Sequence, residues 1–318
     1  MPQPQSPILT VTLNPALDMS TTTATVTPGV KLRCDAPQLD PGGGGVNISR
    51  AIAVLGGETT ALVALGGATG AQVARLLAAE GISTVAIDAP SETRQSIAVT
   101  DRGTMAQYRF VLPGPVWTAE DVQLALQAIS DKAPVGGLVV ISGSQPPGFP
   151  DDFLVRIAQG LPASAHLVAD TSGAALHALT GRAPAHLAVL RMDAEEAEDV
   201  AQTALPSRED SANFAASLVA RGVAATVIIA RGPDGSVLAT RDGRWFCEAA
   251  KVPVNSKVGA GDSFVAAYVL AVARGMPAPE ALAAGVAAAS AAVMTPATEL
   301  CRRADAEALI KACPVSAL

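Results

Sequence analysis

The segment from Val258 to Ser263, Val-Gly-Ala-Gly-Asp-Ser, has the residue types of an anion site at the start of a helix. Its two glycines let the backbone turn tightly, and the apolar run from Phe264 to Ala273 predicts the helix that follows. The first N–H groups of a helix lack intrahelical partners, so they favour an anion together with the helix dipole. Asp262 could take a proton from a hydroxyl group while these N–H groups stabilise charge on a transferring phosphoryl group. A simple helix cap at Asp262 or Ser263 explains the segment equally well.

A second glycine-rich loop, from Asp40 to Asn47, also precedes a helical pattern. Its four glycines would allow a ligand to approach the backbone closely, and Asn47 offers donors and acceptors to hydroxyl groups. The loop is not a P-loop because no Gly-Lys-Ser/Thr follows, and it lacks the glycine spacing of a dinucleotide-binding loop. On its own, it is better interpreted as a flexible turn.

Polar residues follow three of the predicted strands. Asp18 follows the first strand, Ser142-Gly143-Ser144 follows another, and Asp170 ends a third. In open parallel sheets, ligands bind outside the carboxyl ends of the strands, so these side chains should converge on one cleft. Each residue alone is better explained as a cap or a turn, but the three together favour a polyhydroxylated ligand.

Four cations, Lys31, Arg33, Arg94 and Arg109, lie in or beside two segments that break the main pattern of the chain. Arginine offers a planar fork of donors to a phosphate group, and lysine offers a point charge. They could therefore hold a substrate phosphate. For any single one of them, a solvated strand face is an equally good explanation.

The elements that must position these residues alternate between strands and helices. Short apolar runs alternate with longer Ala-rich segments of helical period, which is typical of a parallel sheet covered by helices. The strand candidates are 8–13, 60–65, 137–142, 166–170, 187–190 and 226–230, and the helix candidates are 46–55, 71–79, 119–129, 211–220, 263–274 and 279–294. The sequence therefore predicts an α/β fold.

Two stretches do not fit the alternation. Thr21 to Asp40 is rich in Thr and Val, and Gln95 to Leu112 has the pattern of a hairpin around Asp101-Arg102-Gly103. They predict a small separate sheet, which could be a lid that closes over a ligand. An ordinary edge hairpin is an equally good alternative.

Composition excludes several classes of protein. The length of 318 residues allows two ordinary domains or one large α/β domain with a small appendage. A net charge of -7 and 3% aromatic residues argue against nucleic acid as a partner. The four cysteines lack a Cys-x-x-Cys pair and the three histidines lack ligand-like spacing, which argues against a disulfide scaffold or a zinc site and fits a reducing cytoplasm. No apolar run reaches the ~20 residues that cross a bilayer, so we expect no membrane association.

Several segments together resemble the PfkB-type, ribokinase-like sugar kinases over essentially the whole chain, and most closely the ATP-dependent 6-phosphofructokinase branch. The segments that carry the resemblance are LTVTLNPALD, KLRCDAPQLDPGGGGVNISRAIAVLGG, TRQSIAVTDRGTMAQYRFVLPG, VVISGSQPPG, ADTSGAAL and VGAGDSF. The 1-phosphofructokinase and tagatose-6-phosphate kinase relatives usually have Gly-Gly-Lys-Gly where this chain has four glycines.

The resemblance implies a three-layer α/β core with a mainly parallel sheet and a small β-sheet lid. It implies one kinase domain over 1–318, with the lid at about 21–40 and 94–115, and a homodimer formed through the lid. The implied reaction is transfer of the ATP γ-phosphoryl group to the C1 hydroxyl of fructose 6-phosphate, with Mg²⁺, giving fructose 1,6-bisphosphate. The alternatives are a kinase for tagatose 6-phosphate or fructose 1-phosphate, or a sugar-phosphate-binding protein that kept the fold and lost turnover.

The resemblance also implies roles for individual residues. Asp262 matches the catalytic base of the family, and Gly259, Ala260 and Gly261 match its anion hole. The positions that match substrate contacts are Asp18, Gly43, Asn47 and Ser144 for the sugar, Arg94 for its phosphate, Lys31 from the partner subunit, and Asp170. Glu196 matches the glutamate that organises Mg²⁺, with help from Asp170, and Gly232 and Gly235 match the loop beneath the nucleotide.

The chain departs from the family pattern on the nucleotide side. Arg191-Met192-Asp193 stands where Lys-Pro-Asn is usual, so Arg191 and Asp193 are the expected nucleotide-side residues here. Ala230-Arg231 replaces the usual serine before the nucleotide loop, and Lys257 replaces a common threonine. These changes concern the phosphoryl donor and leave the sugar side intact.

Overall fold

The computed structural model describes residues 4–181, 187–296 and 298–318. Its strands, in chain order, are β1 Ile8–Thr12, β2 Ala16–Thr23, β3 Gln38–Gly42, β4 Thr60–Leu65, β5 Ser83–Asp88, β6 Arg94–Asp101, β7 Gln107–Val111, β8 Leu138–Ser142, β9 His166–Asp170, β10 Leu187–Asp193, β11 Ala224–Ala230, β12 Ser236–Ala239, β13 Arg244–Cys247 and β14 Val315–Ala317. Its helices are α1 Gly44–Val54, α2 Gly67–Ala79, α3 Ala119–Lys132, α4 Phe153–Gly160, α5 Gly173–Gly181, α6 Ala194–Ala201, α7 Arg208–Ala220, α8 Ala260–Ala273, α9 Ala278–Ala292 and α10 Arg303–Leu309.

Within the described residues, one large sheet of ten strands has the order β14-β13-β12-β11-β10-β9-β8-β1-β4-β5. The pairs from β11 to β5 are parallel, whereas β12, β13 and β14 pair antiparallel at one edge. β1 and β8 are buried along their whole length, as expected for parallel strands covered on both faces. The carboxyl ends of the parallel strands therefore meet at one edge of the sheet.

Three hydrophobic clusters fill the spaces between the sheets and the helices. One cluster joins the large sheet to α3, α4, α5 and α7, another joins it to α1, α8 and α9, and a smaller third joins β4 to α2. Ala, Val, Leu and Ile side chains make up most of these clusters, in keeping with the few aromatic residues of the chain. The prediction of a three-layer α/β fold is confirmed.

The small sheet has the order β3-β2-β6-β7, with β2 and β6 parallel and the outer pairs antiparallel. The predicted hairpin is present as β6 and β7, and the carboxylate of Asp101 accepts N–H bonds from Gly103 at 2.7 Å and Thr104 at 3.0 Å. β2 begins at Ala16, earlier than the predicted Thr21, because Ala16 and Leu17 already pair with β3 and β6 and both are buried. No helix in the described ranges has the length and apolarity needed to span a membrane.

Candidate active site

The start of α8 is shaped by Gly259, whose φ of 76° lies in the left-handed region. A Cβ at this position would lie 3.1 Å from Cδ2 of Leu300, so a side chain would meet both strain and a neighbour. The helix begins at Ala260, and no side chain caps it. Ser263 is buried, and its hydroxyl accepts the N–H of Cys301 at 3.2 Å. The helix-cap interpretation of Asp262 and Ser263 is therefore wrong.

Asp262 lies in the first turn of α8, half-buried between two donors. Its Oδ2 accepts from Nδ2 of Asn47 at 2.9 Å, and its Oδ1 accepts from the Ser142 hydroxyl at 3.4 Å. Burial raises the pKa of Asp262 to about 6, while the hydrogen bond from Asn47 opposes the rise. A carboxylate with a pKa near neutrality suits a group that must take up a proton during a reaction.

A chain of polar contacts links Asp262 to the neighbouring strand ends. The Ser142 hydroxyl also lies 3.1 Å from Oδ2 of Asp170, and Oδ1 of Asp170 accepts from Nη1 of Arg191 at 3.0 Å. These residues meet because β8, β9 and β10 are neighbours, with Ser142 opposite Asp170 and Asp170 opposite Arg191. A single hydroxyl proton cannot be donated to two carboxylates at once. Ser142 can therefore donate to Asp170 and accept from Asp262 only when Asp262 carries a proton.

Arg191 is largely enclosed, with a side chain 15% exposed. Burial opposes its charge, but the Asp170 carboxylate, together with Glu196 and Asp193, outweighs burial and raises the pKa of Arg191. Its Nε is buried and has no hydrogen-bond partner among the residues that the structure describes. Its Nη2 lies 3.6 Å from the place where Gly261 would carry a Cβ. The guanidinium group is therefore charged and lies beside the first turn of α8.

A cavity of about 200 Å³ lies between the small sheet and the start of α8. Asp18, Arg94 and Arg109 from the small sheet line it, opposite Asn47 and Asp262. Its full lining is Ala16, Asp18, Met19, Ser20, Asp40, Gly43, Asn47, Arg50, Arg94, Ser96, Ala98, Arg109, Val111, Val258, Gly259, Asp262 and Thr298. We call this the acceptor cavity.

The charges of the acceptor cavity are coupled. Burial raises the pKa of Asp18, and the positive charge of Arg94 opposes the rise. Burial lowers the pKa of Arg94, whose Nε donates to the carbonyl oxygen of Asn14 at 3.2 Å. Arg50 is already paired with Glu80 at 2.6 Å, whereas no ion pair within the described ranges involves Arg94 or Arg109. Arg94 and Arg109 are therefore the cations of the cavity that are available to an anionic ligand.

A larger cavity of about 730 Å³ meets the acceptor cavity at the first turn of α8. Ala260 and Gly261 line the larger cavity, whereas Gly259 and Asp262 line the acceptor cavity. Its other lining residues are mostly apolar and include Ala230, Gly232, Pro233, Gly235, Ala249, Ala250, Val252, Phe264, Val286, Ala289 and Val293. We call this the donor cavity.

The departures from the family pattern have separate structural consequences. Arg191, Ala230 and Lys257 line the donor cavity, where Arg191 keeps the positive charge of the usual lysine and Lys257 adds one in place of threonine. Arg231 does not line it, because its guanidinium group donates to the Leu205 carbonyl oxygen at 3.0 Å and to Asp234 at 3.1 Å. The donor cavity is therefore more cationic than its apolar walls suggest.

Asp193 and Glu196 form the capping box of α6. The N–H of Glu196 donates to Oδ1 of Asp193 at 2.9 Å, and the N–H of Asp193 donates to Oε2 of Glu196 at 2.8 Å. Burial raises the pKa of Glu196, and the Asp193 and Asp170 carboxylates add to the rise. Neither residue lines the donor cavity. Over the described part of the chain, no group of three or more His, Cys, Asp or Glu side chains could hold a metal ion by itself.

The structure brings most of the predicted site residues around the two cavities, but some lie elsewhere. Lys31 and Ser144 are exposed and line neither cavity, although Ser144 accepts from Nδ2 of Asn14 at 3.4 Å. Asp170, Asp193 and Glu196 also line neither cavity, and the roles of all the predicted site residues stay predictions. Sequence reasoning missed the link that Ser142 makes between two carboxylates, although its position at a strand end was a usable signal.

The large sheet, the small separate sheet and the similarity to solved phosphofructokinase structures give the fold of the ribokinase-like kinases. Residues 13–305 match the family described as pfkB family carbohydrate kinase. The chain belongs to this family.

Relatives in the family are similar over nearly all of their length. The chain is 37% identical over 301 residues to ATP-dependent 6-phosphofructokinase isozyme 2 of Mycobacterium tuberculosis (strain H37Rv), covering 94% of this chain and 88% of the relative. It is 36% identical over 302 residues to the protein of the same name in Escherichia coli (strain K12), covering 94% and 96%. The structure resembles the crystal structure of phosphofructokinase-2 from Escherichia coli in complex with fructose-6-phosphate, with a TM-score of 0.89, 33% identity and coverage of 96% and 98%.

Proposed function

We propose that this chain transfers the γ-phosphoryl group of ATP to the C1 hydroxyl of fructose 6-phosphate, giving fructose 1,6-bisphosphate and ADP. The observation that carries the proposal is the position of Asp262, at the turn where a cavity with two available arginines meets a larger, mostly apolar cavity. A phosphosugar fits the first cavity by charge, and a nucleotide fits the second by size and apolar walls. The names of the relatives support the same pair of substrates.

In this proposal, Asp262 takes the proton of the C1 hydroxyl while the C1 oxygen attacks the γ-phosphorus of ATP. The bond from that phosphorus to the bridging oxygen of ADP breaks, and ADP keeps the electron pair of the bond. The N–H groups of Ala260 and Gly261 stabilise the charge on the transferring phosphoryl group, with Gly259 setting the turn. Arg191 lies where it can neutralise negative charge on the donor phosphates.

The acceptor cavity supplies the contacts to the sugar. Asp18, Gly43 and Asn47 face the sugar hydroxyl groups, and Arg94 and Arg109 bind the 6-phosphate. Ser144, Lys31 and Asp170 are the further substrate contacts that we infer from the family resemblance, with Lys31 reaching the site from a partner subunit. Gly232 and Gly235 lie beneath the nucleotide in the donor cavity.

Mg²⁺ fits the two carboxylates that lie beside Arg191, a residue of the donor cavity wall, although they do not line the cavity themselves. The Asp170 and Glu196 carboxylates lie close enough to influence each other's charge, and carboxylate oxygens are ligands that Mg²⁺ prefers. Such ions are usually held by one or two carboxylates together with substrate phosphates, so a cage of three protein ligands is not required. When bound, Mg²⁺ would neutralise charge on the nucleotide phosphates, while Asp170 and Glu196 orient the ion or its waters.

We further propose that 1–318 form one kinase domain, with the small sheet as its lid, and that two copies pair through their lids. The lid supports this because β7 is exposed along its whole length and carries two aromatic side chains, Tyr108 and Phe110, on one face. The alternatives are a kinase for tagatose 6-phosphate or fructose 1-phosphate, or a binding protein with reduced turnover.

A coupled ADP-release assay over a panel of sugars tests the proposed reaction. The panel contains fructose 6-phosphate, tagatose 6-phosphate, fructose 1-phosphate and fructose, each with ATP and Mg²⁺. We expect the highest kcat/KM for fructose 6-phosphate. Equal kcat/KM for fructose and fructose 6-phosphate would contradict the phosphosugar proposal, and binding of fructose 6-phosphate without ADP release would favour the binding protein. The Asp262→Asn variant, purified in parallel, controls for contaminating kinases.

A further inference from the structure

Two cysteines meet where the edge strand β14 joins the large sheet. Cys247 ends β13, and Cys313 precedes β14; their exposed fractions are 0% and 2%. The Cys247 thiol lies 3.3 Å from the carbonyl oxygen of Cys313, and the two thiol groups are hydrogen-bonded to each other. The two sulfur atoms are therefore neighbours although 66 positions separate them in the sequence.

The environment makes the two thiols chemically different. The hydrogen bond from Cys247, with further bonds from the Ala250 N–H and the Ser290 hydroxyl, lowers the pKa of Cys313. The same pairing, together with burial, raises the pKa of Cys247. Cys313 is thus the better nucleophile, and Cys247 is a neighbouring protonated thiol. Redox-sensitive cysteines commonly combine an ionised thiol with a resolving thiol next to it.

The remaining cysteines of the chain lack this arrangement. Cys34 is exposed in the lid, and Cys301 is buried, with a pKa that burial raises. Access to Cys313 depends on β14, an edge strand of three residues that are half-buried or exposed. Short edge strands open locally at low free-energy cost, which would admit a small oxidant.

We propose that Cys247 and Cys313 form a peroxide-sensitive dithiol that closes into a disulfide and weakens nucleotide binding. The Cys313 thiolate attacks one oxygen of hydrogen peroxide, the O–O bond breaks, and hydroxide leaves to become water, which gives a sulfenic acid. The Cys247 sulfur then attacks the Cys313 sulfur and expels hydroxide, which takes the Cys247 proton and leaves as the second water. Two thiols are oxidised and one peroxide is reduced to two waters.

The connection to nucleotide binding runs through the wall of the donor cavity and rests on the function proposed above. Ala250 and Ser290, which contact Cys313, both line that cavity. The Ala250 N–H also donates to the Ser290 hydroxyl at 3.3 Å. A disulfide bond draws the two sulfur atoms to about 2.05 Å from each other and replaces the Cys313 thiolate by a neutral, weaker acceptor. The hydrogen bonds from Ala250 and Ser290 to Cys313 then weaken, and the wall that these two residues form loses that support.

The test treats the full chain with hydrogen peroxide and measures two properties. Peptide mapping without reductant should find a Cys247–Cys313 disulfide, with the loss of two hydrogen atoms, that dithiothreitol reverses. Calorimetry should find the Kd for ATP at least threefold higher after oxidation and restored by dithiothreitol. The Cys34→Ser variant should behave as the wild type in both measurements, whereas Cys313→Ser should form no disulfide and keep its Kd after peroxide.

Three results would overturn the inference. Oxidation of Cys313 to a sulfinic acid with Cys247 still a thiol would exclude the dithiol. A disulfide with an unchanged Kd for ATP would exclude the connection to the donor cavity. If the reduced protein does not bind ATP, the proposed function and that connection both fail, while peptide mapping still decides the disulfide.

Discussion

At the scale of single residues, Asp262 owes its chemistry to burial. An aspartate in water is ionised well below neutral pH, whereas burial raises the pKa of Asp262 to about 6. The Asp262→Asn substitution keeps the size of the side chain and one acceptor for the donor on Asn47. We expect kcat to fall by roughly 10²- to 10⁴-fold with nearly normal binding of fructose 6-phosphate, measured by steady-state kinetics and calorimetry. A variant that keeps a tenth of the wild-type kcat would contradict the assignment.

Although Asp262→Asn should lower kcat, it should raise the free energy of unfolding at neutral pH. The folded state holds the Asp262 proton more tightly than the unfolded state, so this group's contribution to stability is fully present below pH ~4 and is lost as the pH rises to ~6. A pKa raised from 3.8 to about 6 costs about 3 kcal/mol at neutral pH. Asp262→Asn should therefore unfold at a higher denaturant concentration than the wild type at pH 7.5 but not at pH 4. Equal midpoints at both pH values would contradict the raised pKa.

Arg94 tests whether the acceptor cavity is built for a phosphate. Its pKa is lowered by burial, and a partly buried cation without a salt bridge gains most from an anionic ligand. Hydrogen bonds to charged groups contribute ~1.5 to 3 kcal/mol each. Arg94→Ala should therefore lower kcat/KM for fructose 6-phosphate by more than ~100-fold and affect fructose far less.

Arg102 offers a matched control for Arg94. It lies in the same lid, but it is exposed and paired with Asp35 at 2.5 Å, outside the acceptor cavity. Arg102→Ala should leave the ratio of the two kcat/KM values unchanged. If Arg94→Ala and Arg102→Ala have equal effects on fructose 6-phosphate, the phosphate does not contact Arg94.

At the scale of elements, the two glycines at the start of α8 have different roles. Gly259 has a φ of 76°, so Gly259→Ala should destabilise the protein by about 1 to 2 kcal/mol through backbone strain. Gly261 lies within the helix, and the nearest neighbour of its added methyl group would be Arg191, at 3.6 Å, an ordinary van der Waals contact. Gly261→Ala should leave the unfolding midpoint unchanged or higher. It should still raise the KM for ATP at least tenfold, because the methyl group lies at the wall of the donor cavity.

Thermal unfolding and steady-state kinetics of Gly259→Ala and Gly261→Ala distinguish a role in helix geometry from a role in nucleotide binding. The expected pattern is a lower Tm for Gly259→Ala and a normal Tm with poor nucleotide affinity for Gly261→Ala. A normal KM for ATP in Gly261→Ala would show that the donor phosphates do not approach this turn.

Two substitutions of Asp193, in the capping box of α6, distinguish a structural role of this residue from an electrostatic one. Asparagine caps a helix as well as aspartate does, whereas alanine loses about 1 kcal/mol. Asp193→Asn should therefore keep the Tm, and it should lower the KM for ATP or the Mg²⁺ concentration needed, because one negative charge near Arg191 is removed. Asp193→Ala should lower the Tm. If Asp193→Asn moves neither kinetic constant, the residue serves only the helix.

Elements with a clear local pattern of apolar, polar and turn residues could be predicted from the sequence. The apolar run after the two glycines predicted α8, and the alternation around Asp101-Arg102-Gly103 predicted the β6–β7 hairpin. The predicted strands 60–65 and 166–170 coincide with β4 and β9. In these segments, local residue preference and tertiary environment favour the same structure.

Other features depend on contacts that a local pattern does not contain. β12, β13 and β14 have only three or four residues each, too few for a period to appear, and they were missed. The contacts of Ser142 with Asp170 and Asp262 depend on the pairing of β8 with β9 and on the position of α8. The capping box at Asp193 was missed although its spacing is local, because the family resemblance suggested a nucleotide contact at that position.

At the scale of the whole molecule, one face of the lid is apolar, and no other part of the described chain packs against it. Phe110 and Tyr108 on β7 are 55% and 40% exposed, and they lie opposite Ile97 and Val99 on β6. Alternation along both strands places these four side chains on the same side of the small sheet. A contiguous apolar face of this kind favours burial against a second copy, and the isologous contact would bring two lids together.

Phe110→Lys should therefore convert the protein from a dimer to a monomer of 31.9 kDa, measured by light scattering during size-exclusion chromatography. Because Lys31 is exposed and absent from the acceptor cavity of its own chain, the monomer should also have a higher KM for fructose 6-phosphate. Leu124→Lys is the matched control, since Leu124 is 65% exposed on α3, outside the lid, and should stay dimeric with normal kinetics. A wild type that is monomeric at assay concentration, or a dimeric Phe110→Lys, would exclude pairing through this face of the lid.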